Sequence, residues 1–457
     1  MKKIIISTVI LLTTLLYPMS FKAAPLDEMK KYVNDYYIGD IKGDVNSIST
    51  IEGIEKLLDQ YSGYYTKEEF SSFVDSINHE LVGVGVIIQE HVNGILIVNV
   101  INGGSAESNG IMPGDILLKV DEISLVGADI ETAISLLTGG EGTSIHLEVL
   151  KPDGAIQVIK LNREKISVPV IKDNLLYGNI GYISLSSFSE DAGQLVANAI
   201  EKYKKIGVTS FIFDIRNNGG GFVNAAQDVI GLFPNSPVAF QLHYKFGKEV
   251  GLSKEQKISF NENVKVLVNN QSASASEMTA AAIKDQKSGL LYGQQTYGKG
   301  TMQSFLPISN GDQFKLTVAE FRSPSGKLIN NLGVNPHILT EDGRELEVAH
   351  FHHILENIKS YTQLKKQINI PLDKKFTITF SQSIQDVVGE NVIELVELGG
   401  ESVPITLKRI DGKRYQINHQ LLKKGRQYLL IINPKISSEN NSPLSNGAYF
   451  LFDTINQ

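Results

Sequence analysis

The stretch from residue 164 to residue 340 alternates short apolar runs with helical patterns, and this alternation limits the possible folds more than any other feature. The runs Ile180–Leu185, Phe211–Ile215 and Val264–Val268 have the length and the β-branched and aromatic content of buried strands. Helical periodicity is found near residues 190–205 and 276–287. Strands that alternate with helices build a layered α/β domain, and 457 residues are enough for about three domains.

The regions on either side have different patterns. Charged, helical periodicity covers the segment before residue 79, whereas short strands between Gly, Asn and Asp turns surround the short helix Ile130–Leu137. We therefore expect an α+β multidomain chain. Its predicted parts are a leader at 1–24, N-terminal helices at 25–79, a small β-rich domain at 80–163, the α/β core at 164–345, a helical connector at 346–371 and a β-sandwich at 372–457.

The first 24 residues have the plan of a secretory signal peptide. Basic Lys2 and Lys3 precede the mostly apolar run Ile4–Leu16, and Ala23 and Ala24 follow it. The cleavage site is imperfect, which leaves a retained membrane anchor as the alternative. In both cases we expect an extracytoplasmic protein, secreted or anchored by this segment. No later segment has about 18 uninterrupted apolar residues, so the sequence predicts no second membrane span.

Composition excludes several classes of site. The chain contains no cysteine, which rules out disulfides, cysteine-ligated zinc, iron–sulfur clusters and thiol nucleophiles. Its formal net charge of −7 argues against a nucleic-acid partner bound through a broad basic face. We expect neither a metal nor a cofactor. His350, His352 and His353 cluster in the sequence, but three histidines on one helix are more typical of a surface than of a metal site.

Two glycines stand at the entry to a predicted strand in the β-rich region. Gly83 and Gly85 alternate with Val84 and Val86, so their backbone N–H groups can converge on a carboxylate while the strand edge at Val84–Ile88 pairs with a peptide. A glycine-containing bend in an ordinary strand is the alternative. The sequence that follows carries Ser105-Ala106, Gly110-Ile111 and Pro113-Gly114-Asp115-Ile116-Leu117. This order resembles a PDZ domain, which implies binding of C-terminal peptides.

A serine-rich turn joins a predicted strand to a predicted helix. The strand Val264–Asn270 is followed by Gln271-Ser-Ala-Ser-Ala-Ser-Glu277. Ser274 and Glu277 fit a capping box, which is a purely structural role. The same turn suits a nucleophile, because small neighbours leave room for a substrate carbonyl and N–H groups at the start of a helix stabilise an oxyanion. We expect the Ala275 N–H and, from a glycine turn upstream, the Gly220 N–H to form that oxyanion hole.

A nucleophilic serine needs a base, and Lys299 in Tyr297-Gly298-Lys299-Gly300 is the candidate. Acting near neutral pH requires burial to lower the pKa of this lysine well below its ordinary value. A solvated loop lysine is the alternative. The segment Gly293–Lys299 also fits the first seven positions of a phosphate-binding P-loop, but Gly300 stands where Ser or Thr would hold Mg²⁺.

Taken together, these segments resemble the carboxyl-terminal processing peptidases, also called tail-specific proteases. The segments that carry the resemblance are Leu57–Tyr65, the PDZ stretch, Asp214–Asn218, Ser272–Glu277, Thr296–Gly300 and Gln303. The resemblance implies a serine endopeptidase with a Ser/Lys dyad, in which Ser274 is the nucleophile, Lys299 the general base and Gln303 the residue that orients the lysine. It further implies a crotonase-like α/β core, a homodimer, and protein or peptide substrates with accessible C-termini.

The sequence departs from the family pattern at three positions. Thr138 replaces an arginine that is common after the PDZ helix, which predicts a weaker or different link between peptide sensing and activation. Gly219 and His337 replace a common proline and aspartate, away from the dyad. A proteolytically inactive extracytoplasmic peptide-binding protein is the rival hypothesis, although Ser274, Lys299 and Gln303 are all present.

The region after residue 372 contains several short predicted strands, among them Phe376–Phe380, Ile405–Arg409, Tyr428–Ile432 and Phe450–Phe452. It is similar to bacterial Ig-like domains. That similarity implies a small β-sandwich and a possible cell-surface partner, and a spacer is the alternative.

Overall fold

The computed structural model describes residues 25–101, 103–385 and 392–455. The predicted signal peptide at residues 1–24 lies outside them. None of the described helices is long and apolar enough to cross a membrane. The chain divides into two compact units, the first made of residues up to Phe70 together with Gln303–Val318, and the second of Ser71–Met302 together with Ala319 onward.

The first unit is mostly helical. Its apolar positions Met29, Val33 and Ile54 are fully buried, which explains why short helices with charged outer faces are stable here. The strand Gly63–Tyr65 pairs antiparallel with residues 313–315. The elements that lie wholly or partly in this unit are the helices Pro25–Tyr36, Ile51–Glu55 and Lys67–Ile77, the 3₁₀ turn Val45–Ser47, and the strands Gly63–Tyr65, Thr301–Pro307 and Gln313–Arg322.

The second unit contains the predicted α/β core. Its central sheet has the strand order Ile171–Leu176, Ile180–Leu185, Ser210–Asp214, Lys265–Val268, Leu290–Gly293 and Ile338–Leu339. The first pair is antiparallel and the following pairs are parallel. The helices of the core are Ala192–Lys205, Val223–Ile230, Ala275–Gln286 and Glu345–Asn357. A separate pair, Val238–Tyr244 and Gly247–Leu252, joins residues 319–322.

The two faces of this sheet belong to two different apolar clusters. Phe211 and Phe213 pack with the first three core helices, whereas Ile212 between them packs with the helix Glu345–Asn357. Alternate side chains of a strand point to opposite faces, so a sheet buried on both faces reads as a continuous apolar run. This is the pattern that made these strands recognisable in the sequence.

The β-rich region has a sheet with the order Val86–His91, Gly94–Val100, Ile116–Val120, Ser144–Leu150 and Ile156–Asn162, and Ile123–Ser124 pairs with Ile116–Val120. The helices Ser105–Ser108 and Ile130–Leu137 accompany it, and Asp129 caps the second by accepting from the Thr132 N–H. Glu80–Gly83 pairs with Glu164–Ser167 where the chain enters and leaves this region. The strand Val86–His91 is therefore an edge strand among the described elements.

The predicted helical connector at 346–371 is wrong in its second half. The helix Glu345–Asn357 ends at Asn357, and the following segment forms two short strands, Thr362–Gln363 and Gln367–Ile370. Both pair in parallel with Ala448–Thr454. A strand partner about 85 residues further along the chain overrides the local helical preference of this segment.

The tail region is made of strands in two sheets, as the sequence predicts. One has the order Thr362–Gln363, Ala448–Thr454, Gln427–Ile432, Ile393–Glu397 and Ser402–Val403, and Gln367–Ile370 also pairs with Ala448–Thr454. The other has the order Phe376–Thr379, Arg414–His419 and Ile405–Arg409. Side chains between them form one apolar cluster around Phe452, Tyr428 and Ile417.

The tail packs directly on the α/β core. Val396, Leu429 and Leu451 share an apolar cluster with Ile212 and Leu267 of the central sheet. The helix Glu345–Asn357 lies in the same cluster, and its His350 and His353 are 0% and 2% exposed. The expectation that these histidines lie at a surface is wrong for these two. They are buried because both ring nitrogens of each find polar partners.

Candidate active site

The three serines of the strand-to-helix turn differ in their burial and hydrogen bonding. Ser272 and Ser276 are fully buried, and their hydroxyls donate to the carbonyl oxygens of Ile215 and Asn218 at 2.8 Å each. Ser274 is partly exposed. The two buried hydroxyls hold the turn in place, and Ser274 is the serine that a substrate can reach.

Ser274 has an unusual backbone conformation. Its φ of 56° and ψ of −113° lie outside the regions that L residues ordinarily occupy. It immediately precedes the helix Ala275–Gln286, which we name the nucleophile helix, and the N–H groups of Glu277 and Met278 donate to its carbonyl oxygen. Strained residues at a strand-to-helix turn are typical of exposed nucleophiles.

Glu277 connects Ser274 with Lys299. One carboxylate oxygen, Oε2, accepts from the Ser274 N–H at 3.0 Å and from the Lys299 N–H at 2.8 Å. The other, Oε1, accepts from the Thr296 hydroxyl at 2.6 Å and from the Gly298 N–H at 2.7 Å. The side chain is fully buried. Two segments more than twenty residues apart are thus held on a single carboxylate.

These contacts also decide against the phosphate-binding alternative. The N–H groups of Gly298 and Lys299 are the groups that a P-loop would aim at a phosphate. Here both donate to Glu277. An anionic carboxylate already occupies the position that an anionic ligand would need.

Gly220 lies directly against the turn that contains Ser274. A Cβ on this residue would come within 2.9 Å of both the Ala273 carbonyl oxygen and the Ser274 Cβ, and its φ is 111°. Only glycine fits such an approach. Its N–H donates to Asn218 Oδ1 at 2.9 Å. In this conformation the Gly220 N–H is therefore engaged, and it serves an oxyanion only when that hydrogen bond is exchanged.

Asn218 organises this side of the site. It is fully buried, its carbonyl oxygen accepts from the Ala273 N–H and from the Ser276 hydroxyl, and its Nδ2 donates to the Leu185 carbonyl oxygen. The Ala275 N–H has no acceptor among the described residues. One of the two predicted oxyanion donors is thus available at the start of the nucleophile helix.

Gln303 belongs to the first compact unit, whereas Ser274 and Lys299 belong to the second. Within its unit, Gln303 Nε2 donates to the Thr317 hydroxyl at 3.1 Å, and Ser62 Oγ accepts from the Thr317 N–H. Ser62 comes from the Leu57–Tyr65 segment that the sequence analysis singled out. Gln303 lies in the strand Thr301–Pro307. Lys299 and Gln303 are four residues apart in sequence, but they do not lie on one turn of a helix.

The predicted peptide site of the β-rich region has an unpaired strand edge. Val86–His91 pairs on one side only within the described residues, and the helix Ile130–Leu137 lies near it. Gly85 has a φ of 86°, and a Cβ on it would lie 3.2 Å from Gly104 Cα. Gly83 belongs to the strand Glu80–Gly83. An edge strand beside a helix, entered through a glycine loop, is the arrangement used for β-addition of a peptide.

Arg163 contacts the loop that contains Thr138. Arg163 Nη2 donates to the Leu136 carbonyl oxygen at 2.7 Å, and Nη1 donates to the Thr143 hydroxyl at 2.9 Å. A Cβ on Gly139 would come within 2.9 Å of Arg163 Nε. A guanidinium thus stabilises the C-terminal end of this helix from another part of the sequence.

The amino-acid sequence of the chain is similar to sequences of known proteins. The model of peptidase family S41 matches residues 179–340, and the PDZ domain model matches residues 72–150. The chain is 30% identical over 349 residues to a probable CtpA-like serine protease of Staphylococcus haemolyticus, which covers 74% of this chain and 69% of that protein. The chain belongs to peptidase family S41.

Another S41 relative is the carboxy-terminal processing protease CtpA of Bacillus subtilis. It is 33% identical over 289 residues, which is 63% of this chain and 62% of that protein. The chain thus spans 62% and 69% of the length of these two curated relatives. Among solved structures, the photosystem II D1 C-terminal processing protease matches with 24% identity and a TM-score of 0.45, over 69% of this chain and 92% of its own.

Sequence reasoning missed the support behind the S41 site. Arg216 bonds Asp214 on one side and, at 2.6 Å, Glu345 on the other, and Gln294 Nε2 also donates to Glu345. Asn269 accepts from the Asn217 N–H. The sequence analysis identified Asp214 and Arg216 only as part of a family motif. Nothing local in the sequence indicates that Glu345, more than one hundred residues away, completes this hydrogen-bond network.

Proposed function

We propose that this chain is a serine endopeptidase that recognises the C-terminal segments of protein substrates through its PDZ domain and cleaves them with a Ser274/Lys299 dyad. The observation that carries the proposal is the Glu277 carboxylate, which receives the backbone N–H groups of Ser274 and Lys299 on one oxygen. A purely structural capping residue needs only the first of these two bonds.

The proposed reaction starts with Ser274 Oγ attacking the substrate carbonyl carbon as the neutral Lys299 amine takes the hydroxyl proton. The oxyanion that forms is stabilised by the Ala275 N–H and by the Gly220 N–H after its bond to Asn218 is exchanged. The lysine then gives its proton to the leaving amine, which breaks the peptide bond and leaves an acyl-enzyme. Water then attacks the ester carbonyl carbon and loses a proton to Lys299. Collapse of this second intermediate breaks the ester bond, Lys299 returns the proton to Ser274 Oγ, and the new C-terminus leaves.

Purified wild type, Ser274→Ala, Lys299→Ala and Lys299→Arg should be compared on an unstructured protein substrate across pH. We expect all three variants to be inactive, because arginine keeps its charge and cannot accept a proton in this range. Wild-type activity rises with pH as the lysine becomes neutral. The exposed Lys257→Arg serves as the control and keeps wild-type activity. A fully active Lys299→Arg enzyme excludes lysine as the base.

One observation favours the rival function, a peptide-binding protein without proteolytic activity. The Gly220 N–H is occupied by Asn218, so the site has one available oxyanion donor in this conformation. The rival predicts that wild type and Ser274→Ala bind C-terminal peptides equally and that neither cleaves the substrate. Cleavage by wild type alone decides for the peptidase.

The location, the assembly and the finer fold assignments belong to the same proposal. The basic and apolar N-terminal segment supports an extracytoplasmic protein, secreted or anchored. The family resemblance supports a crotonase-like core and a homodimer, and the tail motifs support an Ig-like sandwich with a cell-surface partner. N-terminal sequencing of the protein from culture supernatant and membrane fractions tests the location, and light scattering tests the dimer.

A further inference from the structure

A cleft of about 850 Å³ opens in the tail region, away from the residues of the proposed dyad. We name it the tail cleft. Its lining combines apolar residues from both tail sheets with the strand Phe376–Thr379 and the loop at residues 442–447. The larger apolar side chains that line it are Leu364, Phe376, Ile378, Phe380, Ile384, Leu430, Ile432, Ile436, Leu444 and Phe450.

One wall of the tail cleft is an unpaired strand edge. Among the described residues, Phe376–Thr379 pairs only with Arg414–His419. The Phe380 N–H donates to the Lys413 carbonyl oxygen, so residues of the same parity direct their backbone groups to that neighbour. The N–H and C=O groups of Thr377 and Thr379 therefore point the other way, where no other described strand pairs with this one.

The charge of the lining is one-sided. Lys374 and Lys375 are its charged residues, and both lie immediately before Phe376–Thr379, the strand with the unpaired edge. No acidic side chain is among the residues that line the cleft in the described part of the chain. The chain as a whole has a net charge of −7, so this local basic character is not a consequence of composition.

We propose that the tail cleft binds an extended polypeptide segment that carries acidic residues, by adding it as a strand to Phe376–Thr379. The outward backbone groups of Thr377 and Thr379 bond the segment, its alternate side chains enter the apolar floor, and its acidic residues face Lys374 and Lys375. A lipid chain would use the floor but not the strand edge, so the ladder geometry favours a polypeptide. This site is independent of the proposed proteolysis.

Lysines beside an edge strand have another known use, since they discourage strands of other molecules from pairing there. That explanation predicts that no peptide binds. The apolar floor does not distinguish the two explanations, because Phe376, Ile384 and Leu430 also belong to the apolar cluster between the two tail sheets. The two explanations differ instead in a measurement that is simple to make.

The test uses the full chain with Ser274→Ala, so that the probe is not cleaved. The probe is the fluorescein-labelled peptide Asp-Val-Thr-Val-Thr-Val-Asp, amidated at its C-terminus so that a site for free carboxylates is not engaged. A second peptide with proline in place of both threonines is the control, because proline cannot complete a strand ladder. Fluorescence anisotropy should show saturable binding of the first peptide and none of the second.

Two sets of variants locate the site. Thr377→Pro removes an N–H that has no partner in the sheet, and we expect about tenfold weaker binding with an unchanged melting temperature. Thr377→Val keeps that N–H and should bind like the parent. Lys374→Glu with Lys375→Glu should weaken binding by about tenfold at low salt, whereas Lys408→Glu on the other edge strand should not.

Several outcomes overturn the proposal. The first is no saturable binding of the probe, and the second is equal binding by Thr377→Pro and Thr377→Val. A third is a dimer, seen by light scattering, that Thr377→Pro dissociates and that the probe does not disrupt, since a second copy would then be the occupant. A fourth is binding of inorganic polyphosphate that depends on Lys374 and Lys375 but not on Thr377, which would indicate an anionic polymer.

Discussion

Glu277 is the residue on which the arrangement of Ser274 and Lys299 depends. Burial raises the pKa of this carboxyl, and hydrogen bonds from Thr296, Gly298, Ser274 and Lys299 oppose that rise. The sequence predicts its capping role from a spacing of three. The second role could not be predicted, because the segment that brings Lys299 to the carboxylate is positioned by the tertiary fold.

We expect Glu277→Gln to lower kcat/KM by at least about 100-fold, because a neutral amide cannot accept all four donors and the segments that carry Ser274 and Lys299 shift. The loss of stability should be about 2 kcal/mol. Glu347→Gln is the matched control, since Glu347 is also buried and its pKa is also raised by burial. That variant should lose stability in urea unfolding and keep its activity.

A pair of neighbouring glycines gives a sharper test of the site. Gly220→Ala should abolish activity, because the new Cβ meets the Ala273 carbonyl oxygen and the Ser274 side chain within 2.9 Å. Gly219→Ala meets nothing within 4 Å and should keep activity. Turnover of the same protein substrate by both variants is the measurement. Equal activity of the two would contradict the proposal that Ser274 is the nucleophile.

At the scale of elements, the sequence predicts best where a strand or helix is buried on a regular face. Ile180–Leu185, Ile130–Leu137 and Ile405–Arg409 were predicted with the bounds that the structure has. The segment after Asn357 was predicted as a helix and is strand, because its partner lies far along the chain. The helix Val223–Ile230 was not singled out, since it is short and follows a glycine turn.

The edge strand Val86–His91 and the loop before it lead to a prediction about peptide binding. A peptide with a free C-terminal carboxylate should bind more tightly than its amide, and Gly85→Ala should remove most of that difference. Gly110→Ala is the control, because Gly110 also has a positive φ but a Cβ there meets nothing within 4 Å. Titration calorimetry with both peptides measures it. Equal affinity of acid and amide would contradict carboxylate capture.

At the scale of the whole molecule, buried histidines connect the tail with the α/β core. His350 Nε2 donates to the Tyr177 carbonyl oxygen at 2.8 Å, and its Nδ1 accepts from the Gly399 N–H at 2.8 Å. Only the neutral ring satisfies both. Burial lowers the pKa of His350 from 6.5 to about 4, and the pKa of His353 falls in the same direction.

We therefore expect stability to fall as pH decreases from about 6.5 toward about 4. The unfolded chain binds protons in this window that the folded chain does not, so each such histidine contributes stability above it, up to about 3 kcal/mol. His350→Gln should remove part of the pH dependence of urea unfolding between pH 4.5 and 7.5.

The strand Ala448–Thr454 comes late in the chain but lies inside its sheet, between Gln427–Ile432 and the strands that follow the helix Glu345–Asn357. During synthesis, the segment at residues 362–370 is made about 85 residues before its partner. Until that partner emerges, the apolar face of the core that includes Ile212 and Leu267 lacks part of its cover. A chain that lacks this strand therefore leaves that face of the core incompletely covered, so burial of the central sheet is completed only once residues 448–454 have been made.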